Sequence, residues 1–224
     1  MLNVAINHIT FISIIAILSF TAALFFYTDP VRKVNKYKRS MNDFSAFFLL
    51  SAIVFSGYVL SEKQHNLPAI FFTNVIALSS FISLKQGFIQ RKTKKKIMLF
   101  FQFKYIFGII IIPSINTIFS YYFPSEHIFN SLILLPGIIL LVLSTIKYVA
   151  VEDQEKSYGE KSTIIALYIT VLFVTLLLIF LFFSDNENVH LSLITITYAG
   201  ILIILMGAIQ TMFLSDFANK YRRE

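Results

Sequence analysis

The sequence predicts an all-α, polytopic integral membrane protein of seven transmembrane helices, with its N-terminus outside and its C-terminus inside. The first observation is composition: 57% of residues are hydrophobic and 14% are charged, against roughly 45–50% and about 25% in ordinary soluble domains. Such a chain cannot cover its whole surface with polar groups, so lipid is the expected solvent. The second observation is where the basic residues fall along the chain.

Seven stretches are long and apolar enough to be spanning helices, each of which needs about 20 mostly apolar residues. No separate soluble domain or internal repeat interrupts them, so residues 1–224 are predicted to form a single seven-helix domain. The predicted spans lie near residues 8–27, 44–61, 67–88, 97–123, 127–149, 162–183 and 189–214.

Basic residues collect in alternate connections between these spans. The sequence RKTKKK at 91–96 is the densest run, and the 28–43, 150–161 and C-terminal segments hold most of the others. Lys104 and Lys147 lie toward the same side, and Lys63 is the exception among the 19 Lys and Arg. This bias indicates an N-out, C-in orientation in a cell (inner) membrane. A tight loop between two spans does not resemble a nucleic-acid-binding domain, so we expect the bilayer, not nucleic acid, as the partner.

The four histidines are all predicted at the outer face, close to acidic residues. Histidine and carboxylate side chains can bind a divalent metal, and histidine clusters can respond to pH. The alternative is that each histidine is an ordinary interfacial residue, because their spacing forms no local ligand motif. The residues of this metal or pH hypothesis are His8, His65, His127 and His190.

Three polar residues inside predicted spans are candidates for ligand binding. Asn74 lies early in the third span and Asn116 in the outer half of the fourth; buried amides there either bond across helices or contact a ligand. Lys104, about 10 Å into the fourth span at 1.5 Å per residue, is the one charge predicted clearly within a span. It either has a function or extends back to the cytoplasmic surface.

Catalysis is not expected from this chain. It contains no cysteine and no GxxxxGK[ST], HExxH, GxSxG or GxGxxG motif, and the last span has no lysine for a retinal Schiff base. No catalytic residue is assigned, and the sequence names no cofactor. Pro113 and Pro136 should each free a backbone carbonyl and bend their helices, which either opens a ligand cavity or serves packing alone.

The segment DFSAFFLLSAIVFSGYVLSEKQHNLPAIFFTNVIALSSFISLKQGFIQRK resembles the seven-helix membrane input regions that precede GGDEF diguanylate cyclase domains in bacteria. Gly57, Pro68, Asn74 and the basic segment 85–96 stand where those regions carry a glycine, a proline, an asparagine and a basic run. The resemblance implies a homodimer and a cytoplasmic diguanylate cyclase-type output. No GGDEF sequence follows, so the expectation is an input region of a longer protein or a protein that signals to a separate partner.

These observations favour a membrane sensor or signal-input module. It would bind an unknown small molecule or lipid among the outer halves of its helices and relay the signal through its C-terminus. One alternative is a small transporter, whose helices are often interrupted near the membrane midplane. The other is a non-catalytic membrane scaffold subunit of a larger complex.

Overall fold

The computed structural model describes residues 2–29, 35–62, 67–93, 98–122, 127–150, 157–183 and 187–221. These residues form seven α-helices, as the fold class predicts, and a 3-10 turn at Leu99–Phe101 precedes the fourth helix. The helices are α1 (Leu2–Thr28), α2 (Asn35–Glu62), α3 (Leu67–Lys92), α4 (Phe103–Tyr122), α5 (His127–Ala150), α6 (Tyr158–Phe183) and α7 (Glu187–Tyr221).

Five of the described helices are long and apolar enough to cross a membrane: α2, α3, α4, α6 and α7. The described apolar stretches of α1 and α5 are shorter, Ile12–Thr28 and Leu134–Ala150. Several boundaries differ from the predicted spans: α3 continues to Lys92 rather than ending near 88, α6 begins at Tyr158 rather than 162, and α7 continues to Tyr221 rather than ending near 214. Helix α2 begins at Asn35 rather than near 44, and α4 begins at Phe103 rather than near 97.

Consecutive helices pack side by side, and α7 returns to contact α1. Helix α3 packs against α2, α4 and α5. Every residue from Phe81 to Arg91 is buried, which means that the last three turns of α3 are enclosed on all faces. A helix enclosed in this way can bring side chains from several other helices to one place.

Phenylalanine fills the interior where α1, α2, α3 and α7 meet. Phe26 stacks on Phe48 with ring centres 5.3 Å apart, and Phe44 lies edge-on to Phe88 and Phe213. The close approach of α2 to α3 depends on Gly87, because a Cβ atom there would lie 2.7 Å from the Phe44 ring. Aromatic pairs in this arrangement contribute about 0.5–1.5 kcal/mol beyond their buried area.

Helix α6 begins with a capping box, the S-x-x-E pattern of Ser157 and Glu160. The Glu160 backbone N–H donates to the Ser157 hydroxyl, and the Ser157 N–H donates to the Glu160 carboxylate. These two bonds satisfy amide groups that the first helical turn leaves unpaired. The first turn of α6 is also closely packed against α7, since a Cβ at Gly159 would lie 2.5 Å from the Cα of Met212.

Candidate functional site

Three polar side chains near the end of α3 each bond to a different part of the bundle. We call Lys85, Gln86 and Arg91 the α3 polar hub. All three residues are buried, with 9%, 7% and 9% of their surface exposed. Buried polar groups in a helical membrane protein are expensive unless they are paired, so their partners define what the hub does.

Arg91 joins α3 to both α6 and α7. Its guanidinium donates two bonds to the Asp216 carboxylate, at 3.0 and 2.7 Å, and a third to Glu160 at 2.8 Å. The arginine side chain is 8% exposed, and the two carboxylates are 17% and 16% exposed. A bidentate pair of this kind fixes orientation as well as distance, so the end of α7 is tied to the end of α3.

Gln86 joins α3 to α2 and to the connection that enters α4. Its amide nitrogen donates to Asp43 Oδ1 at 2.9 Å, and its amide oxygen accepts the backbone N–H of Leu99 at 2.9 Å. The other Asp43 oxygen, Oδ2, is buried without a hydrogen-bond partner. The predicted second span begins near residue 44 and so excludes Asp43. The structure corrects this, because the earlier start of α2 puts Asp43 inside that helix.

Lys85 joins α3 to α5. Its ammonium donates to the Ser144 hydroxyl at 2.6 Å and lies 5.5 Å from the centre of the Tyr105 ring on α4. Among the described residues no carboxylate forms an ion pair with it. Arg91 was predicted to lie in the connection after the third span, and this was wrong: it lies within α3, as does Lys85, which the predicted span 67–88 already included.

Lys104 was predicted to lie deep in the fourth span, and the structure corrects this too. Helix α4 begins at Phe103, so Lys104 is the second residue of the helix, and it is exposed. Its ammonium lies 5.1 Å from the centre of the Tyr105 ring. The Gln86 bond to Leu99 explains the late start, because it holds the chain in a 3-10 turn where a continuous helix was expected. Among the lysines whose side chains the structure describes, Lys85 is the one that is buried.

Asn74 and Asn116, the two predicted ligand-binding amides, are both buried. Asn116 is 0% exposed, and neither its amide oxygen nor its amide nitrogen has a hydrogen-bond partner among the residues that the structure describes. Asn74 is 8% exposed, and its amide nitrogen is also unpaired. The interhelical bonds expected for buried amides are absent from these atoms, so their hydrogen-bonding capacity is unused.

The helix register puts the two asparagines at the same level of the bundle. At Gly137 on α5, a Cβ would lie 3.2 Å from Ile112 of α4 and 3.4 Å from Leu78 of α3. These contacts bring Leu78 and Ile112 to one level of the bundle. Asn74 precedes Leu78 by four residues and Asn116 follows Ile112 by four, which is one turn on the same helix face in each case. Helices α3 and α4 run in opposite directions. Going back four residues from Leu78 on α3 and forward four from Ile112 on α4 therefore leads in the same direction, away from the polar hub.

The histidine hypothesis falls outside the described part of the structure. His65 is not among the described residues, and the side chains of His8, His127 and His190 lie outside the described set. Among the side chains that are described, no group of three or more His, Asp or Glu residues could hold a metal ion.

The polar hub was missed because its signals are weak in the sequence. Arg91 and Lys85 belong to a basic segment that reads as a loop, and Asp216 is 125 residues away from Arg91. The capping box at Ser157 and Glu160 could have been recognised from its spacing. It would have moved the start of α6 to the observed position and put Glu160 inside the bundle.

Comparison with protein-family models, with curated proteins and with solved structures gave no match. The class of protein is therefore defined by the fold alone: an all-α protein whose described residues form seven helices, several of which have the length and composition of transmembrane spans.

Proposed function

We propose that all seven helices cross a cell (inner) membrane, with the N-terminus outside and the C-terminus inside. Helices α1 and α5 run for 27 and 24 residues, enough to cross about 30 Å of hydrocarbon. The bias of Lys and Arg toward one set of connections supports the orientation. On this orientation the polar hub lies toward the cytoplasm and the two asparagines lie in the outer half.

Orientation can be tested directly because the chain contains no cysteine. A Lys63→Cys variant should react with a membrane-impermeant maleimide added to intact cells, whereas Lys38→Cys should react only after permeabilisation. Lys38 is exposed near the start of α2, so its failure to label intact cells would not result from burial in the protein. Labelling of Lys38→Cys in intact cells would refute the proposed orientation.

We further propose that the protein is a membrane sensor, a signal-input module that binds a small molecule between α3 and α4. The observation that carries this proposal is the fully buried Asn116, whose side chain has no partner for either polar atom. An unpaired buried polar group costs about 1–3 kcal/mol. A ligand with both a hydrogen-bond donor and an acceptor, such as an amide or a hydroxyl group, could bond to both polar atoms of Asn116 and so offset that cost. It would bind at the level of the bundle that Asn116 shares with Asn74.

The route from this site to an output would run along α3 to the polar hub. Arg91 connects α3 to Asp216 in the last turns of α7, next to the C-terminal segment through which we propose the signal leaves. The proposed partner is a cytoplasmic diguanylate cyclase-type output domain, in a homodimer of the input region. A ligand would act by binding one arrangement of α3 more tightly than another.

Native mass spectrometry of the protein purified in mild detergent tests this proposal. We expect a discrete bound mass that is lost in Asn116→Leu and in Asn74→Ala. Ser114→Ala is the matched control, because Ser114 is a neighbouring polar residue on α4 whose hydroxyl is already bonded to the Ile110 carbonyl. A bound mass that persists in both asparagine variants would refute the site. Absence of any ligand across a metabolite and lipid panel would favour the scaffold function.

A small transporter is the second candidate, and Asp43 is the observation that favours it. A carboxylate with one buried, unpaired oxygen inside a span-forming helix is the kind of group that carries protons in transporters. Uptake into proteoliposomes under a proton gradient, lost in Asp43→Asn, would support transport. Equal uptake by that variant would exclude Asp43 as the coupling group.

A further inference from the structure

Two lysines and a tyrosine form a compact basic cluster where α3 ends and α4 begins. The ammonium groups of Lys85 and Lys104 both lie within 5.5 Å of the centre of the Tyr105 ring. Lys92 continues the basic surface, with its ammonium over the Tyr148 ring on α5 at 6.0 Å. Each ammonium is attracted to the aromatic ring, but the ring carries no net charge and cannot neutralise either cation.

Lys85 lacks the negative charge that its burial requires. It is 9% exposed, and its single hydrogen-bond acceptor among the described residues is the neutral Ser144 hydroxyl. An ammonium has three N–H donors, which leaves two for another acceptor. The carboxylates of Glu160 and Asp216, at the same end of the bundle, are both taken up by Arg91. Arg91 therefore has its counter-charges within the protein, whereas Lys85 does not.

We propose that the phosphate of an anionic phospholipid binds at this basic cluster and supplies the missing charge to Lys85 and Lys104. Basic pockets between transmembrane helices are where anionic headgroups bind, and the positive end of the α4 helix dipole favours an anion at Lys104. Large apolar rings beside the cluster suit the acyl chains of a lipid: Phe101, Phe103 and Phe107 are 77%, 80% and 52% exposed. The inference needs the helices to span a membrane, but it does not depend on a ligand at the asparagines.

The test measures phosphatidylglycerol binding to the full chain in nanodiscs of phosphatidylcholine, by native mass spectrometry. Lys104→Gln should weaken binding roughly fivefold, as expected for one charge near an anionic surface, and Lys85→Met should weaken it by about tenfold or more. Lys85→Arg should keep most of the affinity. The matched control is Lys161→Gln, which removes one exposed charge on α6 and should change binding by less than about twofold.

A second measurement separates binding from folding and lipid from free phosphate. In phosphatidylcholine alone, Lys85→Met should unfold at a higher temperature than the wild type, because it removes an uncompensated buried charge. Added phosphatidylglycerol should stabilise the wild type much more than this variant, which keeps only Lys104 at the cluster. Equal stabilisation of both proteins by the lipid would overturn the site. Stabilisation of the wild type by inorganic phosphate or glycerophosphate to the same extent would overturn the assignment to a lipid.

Discussion

Replacing Arg91 with methionine should destabilise the bundle more than removal of an ordinary surface ion pair. The substitution leaves the Glu160 and Asp216 carboxylates, which are 17% and 16% exposed, without their positive partner. Removing one partner of a buried ion pair costs about 3–5 kcal/mol. Because both carboxylates keep some contact with the surroundings, we expect a loss of stability at the lower end of this range, about 3 kcal/mol. Exposed ion pairs, by comparison, contribute only about 0–1 kcal/mol.

A triple variant distinguishes loss of pairing from loss of packing. Arg91→Met combined with Glu160→Gln and Asp216→Asn removes all three charges together. Replacing a whole buried ion network with neutral groups is often close to neutral in stability. Glutamine at position 160 can still accept the Ser157 N–H of the capping box. The triple variant should therefore recover most of the stability that the single variant loses.

The assay is unfolding by sodium dodecyl sulfate in mixed micelles, followed by the far-ultraviolet circular dichroism of the helices. The chain has no tryptophan, so a fluorescence assay would depend on tyrosine alone. Lys38→Met, which removes an exposed positive charge near the start of α2, is the control for a general effect of charge. If Arg91→Met and the triple variant both unfolded with the wild type, the network would not stabilise the bundle and the reasoning would be refuted.

Three further predictions follow from close packing and unpaired groups, and the same assay measures them. Gly159→Ala should lose about 1–3 kcal/mol through overpacking against α7, whereas Gly108→Ala, whose Cβ meets nothing within 4 Å, should gain up to about 1 kcal/mol. In protein freed of ligand, Asn116→Leu should gain about 1–3 kcal/mol, since it removes an unpaired buried amide; a loss would mean that the amide is paired. Gln86→Leu should lose about 1–3 kcal/mol by stranding Asp43, and Gln86→Glu should not rescue it.

The helices were predictable because a long apolar stretch is a clear sequence signal of a helix that can cross a membrane. Each of the seven described helices begins or ends within two residues of a predicted span at one or both ends, and α5 covers 127–150 against a predicted 127–149. The exceptions are instructive. Helix α2 extends back to Asn35 through the polar sequence NKYKRSMND, where hydropathy gives no signal because the stabilising contacts are made by Ser40 and Asp43 with α3.

The candidate site was predictable only in part. The asparagines stood out because an amide is unusual within an apolar span, and both proved to be buried. The register that brings them to one level comes from the packing of Leu78, Ile112 and Gly137, which local patterning does not encode. Lys104 was expected to lie within a span because the fourth span was predicted to begin near 97. Helix α4 begins at Phe103 instead, so Lys104 is exposed near the start of the helix. That start is set by a bond between Gln86 and the Leu99 N–H, a tertiary interaction that hydropathy cannot reveal.

Helix α3 gives the proposed sensor a physical means of relay. Asn74 and Arg91 lie on the same helix, 17 residues apart, or about 25 Å at 1.5 Å per residue, and its last three turns are buried on all faces. A closely packed segment has low compressibility and transmits strain to its neighbours. A shift of α3 by a fraction of a turn at the asparagine level would therefore reach Lys85, Gln86 and Arg91 together. It would strain bonds to α5, α2 and α7 at once, so the arrangements open to the bundle should be few and discrete. A ligand that prefers one of them would select the position of α7 through the Arg91–Asp216 pair, and the triple variant without that pair should bind ligand yet fail to pass the change to the C-terminus.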